Sequence, residues 1–129
     1  RTDFSSDYSL VIGKFLLQNQ KGEPLTVFGS GKQTRDFCYV KDIVDASMKA
    51  VKSKKLKGGE VINIGSGKSY SINFLSQLIG GKVTHLPSRL GDVLDTKADI
   101  VLAKKFLDWK PKTNLENGLD LTKKWLLKR

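Results

Sequence analysis

Apolar side chains recur along this chain at two spacings, one typical of helices and the other of short strands. Spacings of three and four residues give one apolar face and predict amphipathic helices. Five such segments occur, at residues 10–16, 43–51, 72–79, 100–106 and 119–126. Short strands are predicted at Leu25–Phe28 after Pro24, at 61–64 after the glycine pair 58–59, and near Val83–Leu86 after the glycine pair 80–81. A brief extended piece is predicted at 37–40. Since strands and helices alternate, the pattern predicts an α/β fold.

Polar residues and glycines predict where these helices begin and end. Side chains that accept hydrogen bonds from the first turn are expected at each start. They are Ser6 or Asp7, Asp42, Ser71, Asp99, and Asn114 or Leu115 as the opening residue of the last helix. Glycine pairs at 58–59 and 80–81, and Lys21-Gly22, are expected to interrupt the chain.

Composition fits one globular domain. The 129 residues are 39% hydrophobic, with neither the apolar run of a membrane span nor a signal peptide at the start. One cysteine, Cys38, excludes an internal disulfide, and with one histidine, His85, it offers no zinc site. A reducing cytoplasm is the expected location. Cys38, Trp109 and Trp125 are expected to pack as apolar core residues.

The net charge of +10 raises the alternative of a nucleic-acid-binding module. The lysines cluster near helix ends, however, where cations complement the helix dipole and keep the surface solvated. The sequence has no zinc finger, arginine-rich stripe or ribonucleoprotein-type aromatic motif. Nucleic acid is therefore not the expected partner.

Three familiar catalytic or phosphate-binding motifs are incomplete. Gly65-Ser66-Gly67 lacks the third glycine of a dinucleotide fingerprint, because Tyr70 occupies that position. No glycine–lysine pair is preceded by the glycine of a P-loop, and Ser66 is not in a G-x-S-x-G elbow. We interpret 65–67 as a turn.

Arginine is rare in this chain and its two internal positions need explanation. Only Arg35 and Arg89 lie inside a sequence that otherwise uses lysine nineteen times. A guanidinium is a planar fork that binds phosphate oxygens in pairs, whereas an ammonium is a point charge. We therefore interpret the two arginines as a phosphate clamp.

Five ordered motifs resemble a known family. They are PLTVFGSGKQTRDFCYVKDIVDA, VINIGSG, PSRLGDVLDTKAD, FLDWKP and ENGLDLTKKW. Together they resemble the C-terminal part of NAD-dependent nucleotide-sugar epimerases and dehydratases, the extended short-chain dehydrogenases that include UDP-glucose 4-epimerase. The resemblance covers nearly the whole chain but does not fix the sugar or the nucleotide base.

The resemblance implies a substrate-binding role for six residues. Arg35 and Arg89 match the arginines that hold the pyrophosphate, and Asp92 matches a carboxylate on the ribose hydroxyl groups. Backbone groups near Thr26 and Phe28 match the segment that contacts the base. Asn63 matches a position that approaches phosphate in some members.

Each of these residues also has a structural interpretation. Arg35 could pair with Asp36 or another carboxylate, and Arg89 could be a surface residue. Asp92 follows Gly91 and suits any turn. Asn63 could satisfy loop backbone groups at a strand end.

The family's catalytic residues are missing from this sequence. None of the three tyrosines has a lysine four residues later, so the family's Y-x-x-x-K pair is absent. Arg1 matches the arginine that ends the family's V-Y-G-P-R strand. We therefore expect a fragment that binds no NAD alone and has no turnover, although NAD serves the full-length parent enzyme.

The expected fold is the small C-terminal nucleotide-sugar-binding subdomain of an extended short-chain dehydrogenase, spanning 1–129 as one domain. It would have short strands and several helices, with the Rossmann nucleotide-binding part largely absent. The expected function is binding the nucleoside diphosphate of a UDP-sugar for an epimerase. A stand-alone or remnant binding module, or a dehydratase fragment, remains an alternative. Uncovered apolar faces on the second helix and on 61–64 would favour self-association.

Overall fold

Five helices and four strands are present in residues 10–128, the part of the chain that the computed structural model describes. In chain order they are α1 (Val11–Gln20), β1 (Leu25–Phe28), β2 (Thr34–Asp36), α2 (Val40–Lys52), β3 (Ser69–Ser71), α3 (Ile72–Ile79), β4 (Val83–Leu86), α4 (Val101–Leu107) and α5 (Leu115–Leu126). Short strands alternate with several helices, so the expected small α/β fold is confirmed.

The described residues form two compact units. Unit 1 comprises residues 10–34 and 70–94, and unit 2 comprises residues 35–69 and 95–128. The chain passes from unit 1 to unit 2 within β2 and returns within β3. The assignment of 1–129 to a single substrate-binding domain stays a prediction.

Unit 1 is built on two parallel strands, β1 and β4. Leu25 is in register with Val83, and Phe28 with Leu86. Both strands have the predicted bounds. In β1 every second side chain, Leu25 and Val27, is fully buried, as expected for a strand with one covered face. The buried apolar residues of unit 1 are Phe15, Leu16, Leu25, Val27, Ile72, Leu75 and Ile79.

The ends of α3 follow the sequence closely. The Ser71 side chain accepts a hydrogen bond from the Phe74 N–H, so the predicted cap is confirmed. Gly80 ends the helix with a φ of 83°, a conformation that favours glycine. Helix α1 has Leu10 at its N-cap, while the predicted caps Ser6 and Asp7 lie outside the described residues.

Unit 2 packs around α2 and α4. Its central cluster consists of Ala46, Ala103, Leu107 and Trp109. Trp109 is only 1% exposed, so its predicted role as a core residue is confirmed. Cys38 packs against the cluster as a small apolar side chain, as predicted.

The prediction for Trp125 is wrong, because its side chain is 47% exposed. Helix α5 buries Leu115 and Leu119. Trp125 lies about 120° around the helix from Leu119, at 100° per residue, and so leaves the buried face.

The starts of α4 and α5 were predicted to different accuracy. Asn114 accepts a hydrogen bond from the Asn117 N–H, which confirms it as the cap of α5. Helix α4 begins at Val101, two residues after the predicted start at Asp99. Asp99 nevertheless accepts a hydrogen bond from the Val101 N–H at 2.9 Å.

Asp42 does not cap α2. The helix begins at Val40 with Tyr39 at the N-cap, which places Asp42 inside the first turn. Its buried carboxylate instead accepts a hydrogen bond from the Thr113 N–H at 3.0 Å. A tertiary contact between distant parts of unit 2 therefore occupies the group that the local pattern assigned to a cap.

Two predicted extended segments are also corrected. The piece predicted at 37–40 is not a strand, although Tyr39 has an extended backbone, and Val40 already begins α2. The strand of this region is Thr34–Asp36, which was missed because its three residues are polar. Residues 61–64 are not assigned to a strand, although Ile62 and Ile64 pack against the unit 2 cluster. Val61 and Asn63 are exposed, so the alternation typical of a strand is present without the predicted burial.

Candidate functional site

The carboxyl end of β1 places an aromatic ring beside one of the two internal arginines. In unit 1, the guanidinium carbon of Arg89 lies 3.7 Å from the centroid of the Phe28 ring. Phe28 is half-buried and Arg89 is exposed. The Lys14 ammonium lies 5.4 Å from the same centroid. Stacking on the ring restricts the arginine before any ligand binds.

Arg89 and Asp92 are the two ends of one turn. The Asp92 N–H donates to the Arg89 carbonyl oxygen at 3.3 Å, and Gly91 has a φ of 81°. A positive φ at the third position of a four-residue turn favours glycine. The sequence PSRLGD therefore folds locally into a turn that brings the predicted phosphate ligand and the predicted ribose ligand together.

Backbone groups of β1 have partners within unit 1. The Thr26 N–H donates to Gln18 Oε1 at 3.1 Å, and Gln18 Nε2 donates to Thr26 Oγ1 at 3.1 Å. The Phe28 carbonyl oxygen accepts from Gln33 Nε2 at 2.8 Å. Gln18 and Gln33 thus fix the end of β1, the segment predicted to contact the base.

The remaining two predicted site residues, Arg35 and Asn63, belong to unit 2. Arg35 lies in β2 and is half-buried, whereas Asn63 is exposed in the segment 61–64. The structure thus brings Thr26, Phe28, Arg89 and Asp92 together in unit 1, and it assigns Arg35 and Asn63 to the other unit.

Sequence reasoning missed the role of the Asp36 side chain, which accepts several hydrogen bonds within unit 2. One carboxylate oxygen accepts from the Ser66 N–H at 2.7 Å, and the other accepts from the Gly67 and Ala98 N–H groups. An acidic residue next to a predicted phosphate ligand, in a chain with a Gly-Ser-Gly turn, was the available signal. Backbone N–H groups of such turns attract anions.

Asp36 also explains why residues 65–67 resemble a phosphate loop without being one. The N–H groups of Ser66 and Gly67 already bind this carboxylate. Gly65 has no room for a side chain, since a Cβ there would overlap the Cβ of Ala98. The interpretation of 65–67 as a structural turn therefore has a physical basis within unit 2.

The single cysteine is not placed for nucleophilic chemistry. Burial, followed by the charges of Asp42 and Asp36, raises the pKa of the Cys38 thiol to about 11. The thiolate is the reactive form, so Cys38 stays protonated near neutral pH.

An open groove of about 620 Å³ lies in unit 2 beside the 65–67 turn, with Ser66, Gly67 and Ala98 in its lining. Lys68, Lys97, Lys104 and Lys110 line it, together with Pro111, and it contains none of the six predicted site residues. Of these lysines, Lys97 belongs to the motif PSRLGDVLDTKAD, and the other three lie outside both arginine motifs.

The described residues contain no group of three or more histidine, cysteine or acidic side chains that could hold a metal ion. Between residues 10 and 128, no helix has both the length and the hydropathy needed to cross a bilayer.

Comparison with family models settles the family. Residues 1–65, half of the chain, match the model described as the NAD dependent epimerase/dehydratase family. The chain belongs to this family. The predicted resemblance to nucleotide-sugar epimerases and dehydratases is therefore confirmed.

Curated relatives of this chain include two kinds of UDP-sugar enzyme. It is 40% identical over 121 residues to a UDP-glucuronate 4-epimerase of Thermodesulfobacterium geofontis, covering 88% of the chain and 36% of the relative. It is 37% identical over 118 residues to UDP-glucuronic acid decarboxylase 1 of Xenopus tropicalis, covering 87% of the chain and 27% of the relative.

A solved epimerase has the same fold over almost the whole chain. A UDP-glucose 4-epimerase of Thermotoga maritima, determined with UDP-glucose, matches with a TM-score of 0.90 and 34% identity. The match covers 99% of this chain and 42% of that protein. The chain thus spans less than half the length of each of these three proteins.

Proposed function

We propose that this chain binds the nucleoside diphosphate part of a UDP-sugar, as the C-terminal substrate-binding part of an NAD-dependent 4-epimerase-type enzyme. The observation that carries this proposal is the Arg89–Asp92 turn, with the guanidinium stacked on Phe28 at 3.7 Å. The UDP-sugar enzymes among its relatives support a uridine nucleotide in particular.

The chemistry of unit 1 suits the nucleoside end of such a ligand. A guanidinium offers paired donors to a phosphate, and a carboxylate three residues later accepts hydrogen bonds from a ribose diol. Both side chains belong to one four-residue turn, so a single loop would hold adjacent parts of the nucleotide. Groups near Thr26 and Phe28, held by Gln18 and Gln33, would contact the base.

The family motifs support a pyrophosphate contact for Arg89 of unit 1 and, separately, for Arg35 of unit 2, with a secondary phosphate contact for Asn63. For Arg35 the support is its place in the QTRDF motif and its half-buried position in β2. For Asn63 the support is its exposed position in the VINIG motif. Two guanidinium groups can neutralise the two negative groups of a diphosphate.

NAD supplies reversible hydride transfer in enzymes of this kind. The described residues do not fit NAD, because the Gly-Ser-Gly turn lacks a third glycine and gives its N–H groups to Asp36. This chain's contribution is to bind and orient the nucleotide. The reaction at the sugar, epimerisation at C4 or the decarboxylation that some relatives are named for, would need residues that this sequence lacks.

Titration calorimetry with UDP tests the proposal. Arg35→Lys and Arg89→Lys each keep a positive charge but remove the planar fork, so each should weaken UDP binding by about tenfold. Lys54→Arg, an exchange of the same two residue types at an exposed position, should leave the affinity unchanged. Equal affinity of the native chain and both arginine variants would overturn the proposed site.

The alternative of a binding module without catalysis is supported by the absence of a Y-x-x-x-K pair. We expect the purified chain, supplied with NAD and a UDP-sugar, to show no epimerisation by proton NMR of the sugar. Measurable turnover by the pure chain would contradict this expectation while leaving the UDP titration intact.

A further inference from the structure

Asp36 connects three separate segments of unit 2 through one carboxylate. Oδ1 accepts from the Ser66 N–H at 2.7 Å and from the Ser66 hydroxyl, while Oδ2 accepts from Gly67 at 2.9 Å and from Ala98 at 3.0 Å. Hydrogen bonds to a carboxylate are stronger than those between neutral groups, so Asp36 holds the 65–67 turn and the chain at Ala98 together.

The backbone of Asp36 is held as well as its side chain. Its N–H donates to Thr96 Oγ1 at 3.2 Å, and the Thr96 carbonyl oxygen accepts from Ser69 Oγ at 2.7 Å. Gly65 lies against this network, where an added Cβ would lie 2.9 Å from Asp36 Oδ2. The carboxyl end of β2 is therefore constrained on both sides by short polar contacts within one unit.

Strand geometry transmits this constraint to Arg35. Neighbouring residues of an extended strand direct their side chains to opposite faces. Since the Asp36 side chain faces the Gly-Ser-Gly turn, the Arg35 side chain projects from the opposite face of β2. Rotation or slippage of β2 would move both side chains, and four hydrogen bonds to Asp36 oppose such movement.

We propose that Asp36 is the positioning residue for Arg35, holding the guanidinium ready for the diphosphate through the 65–67 turn. This inference rests on the proposed function for the role of Arg35, and it adds a residue to which no binding role was assigned. Preorganisation of this kind increases affinity because less freedom is lost on binding.

Calorimetry on a double-mutant cycle tests whether Asp36 acts through Arg35. Asp36→Asn should weaken UDP binding by about tenfold, and Arg35→Gln by a similar or larger factor. The double variant should bind no more weakly than Arg35→Gln alone. If the two losses multiply, or if Asp36→Asn binds UDP as the native chain does, the positioning role is wrong.

Asp42→Asn is the matched control. Asp42 is another carboxylate of unit 2 that accepts a backbone N–H, from Thr113. Its substitution should lower stability without changing UDP affinity in the folded fraction. If Asp36→Asn does not fold, Ser66→Ala decides, because it removes one of the four hydrogen bonds and leaves the charge. A twofold to threefold loss that disappears in the Arg35→Gln background supports the proposal, and any other result contradicts it.

A second measurement does not depend on UDP binding. The chain has four arginines, of which two are internal, so the Nε–H signals of Arg35 and Arg89 can be assigned by substitution. In nitrogen-15 relaxation experiments on the free protein, Asp36→Asn, or Ser66→Ala if it is needed, should increase the mobility of the Arg35 side chain and leave Arg89 unchanged. An unaltered Arg35 signal would refute the positioning role. Failure of the native chain to bind UDP would refute only the proposed function.

Discussion

Arg89 lies against Phe28 with its guanidinium carbon 3.7 Å from the ring centroid, so the candidate phosphate ligand is already ordered by an aromatic neighbour in unit 1. The contact joins the end of β1 to the loop that follows β4, two segments that the parallel pairing of Phe28 and Leu86 brings together. Two motifs about sixty residues apart in sequence thus become one local feature.

Replacing Phe28 by leucine should weaken UDP binding by about twofold to fivefold, because an exposed cation–π contact contributes about 0.5–1 kcal/mol. Calorimetry against the native chain measures the change. Phe106→Leu is the matched control. The Lys105 ammonium lies 5.3 Å from the centroid of the Phe106 ring in unit 2, and Phe106 has no assigned binding role. Equal losses in the two variants would mean that the Phe28 ring does not order a ligand-binding arginine.

The Asp42–Thr113 hydrogen bond predicts a loss of stability on removal of the carboxylate. Asp42→Ala leaves the Thr113 N–H without this acceptor and should lower the free energy of unfolding by about 1–3 kcal/mol. Urea denaturation followed by circular dichroism measures it. Asp120→Ala, at an exposed position of α5, should change the free energy by less than about 0.5 kcal/mol. Similar values for both variants would show that the buried bond contributes nothing specific.

Asp42 and Ser71 show what local sequence patterns can and cannot predict. Ser71 caps α3 as predicted. Its hydroxyl oxygen accepts a hydrogen bond from the Phe74 N–H, three residues away, so this bond depends only on local geometry. Asp42 has the same kind of side chain at a helix start, but its partner is Thr113, 71 residues away. No local pattern records such a contact, so the cap prediction was wrong.

The same distinction applies to the candidate site. The strands Leu25–Phe28 and Val83–Leu86 were predicted with correct bounds because glycine and proline residues flank these short segments with apolar and β-branched side chains. Strand β2 consists of Thr34, Arg35 and Asp36 and has no apolar run, so it was missed. The family motifs identified Arg35 and Arg89 as candidates, but the hydrogen bonds of Asp36 required coordinates.

Cys38 should react slowly with thiol reagents at pH 8, because burial raises its pKa to about 11 and little thiolate is present. Absorbance of the Ellman reagent product, in native buffer and in denaturing urea, gives the two rates. We expect the native rate to be at least tenfold lower. Equal rates in both conditions would contradict the raised pKa of the Cys38 thiol.

The raised pKa of Cys38 also gives stability a defined pH dependence. The unfolded thiol ionises near its ordinary pKa of 9.0, whereas the folded thiol ionises near 11. Above pH 9 the unfolded state therefore binds fewer protons than the folded state, and stability falls as pH rises from about 9 to 11. Comparison with Cys38→Ser removes the contribution of lysines and tyrosines, which both proteins share. The unfolding free energy of the native protein minus that of Cys38→Ser should decrease as the pH rises across this interval. A constant difference would contradict the raised pKa of the Cys38 thiol.

Helix α2 should mediate the self-association proposed for this chain. Val40, Val44, Met48 and Val51 are 63%, 55%, 50% and 83% exposed, and their spacing places them along one side of the helix. Contiguous apolar surface of this kind favours association with a second copy.

Light scattering on the native chain should give a mass above that of the monomer. Val44→Lys with Met48→Lys should restore the monomer, because two charges in the contact would lose their hydration. Val101→Lys with Leu102→Lys adds the same charge on exposed apolar positions of α4, which are 62% and 43% exposed, and should leave the mass unchanged. A native chain that is monomeric at high concentration and binds no hydrophobic dye would show that this face does not associate.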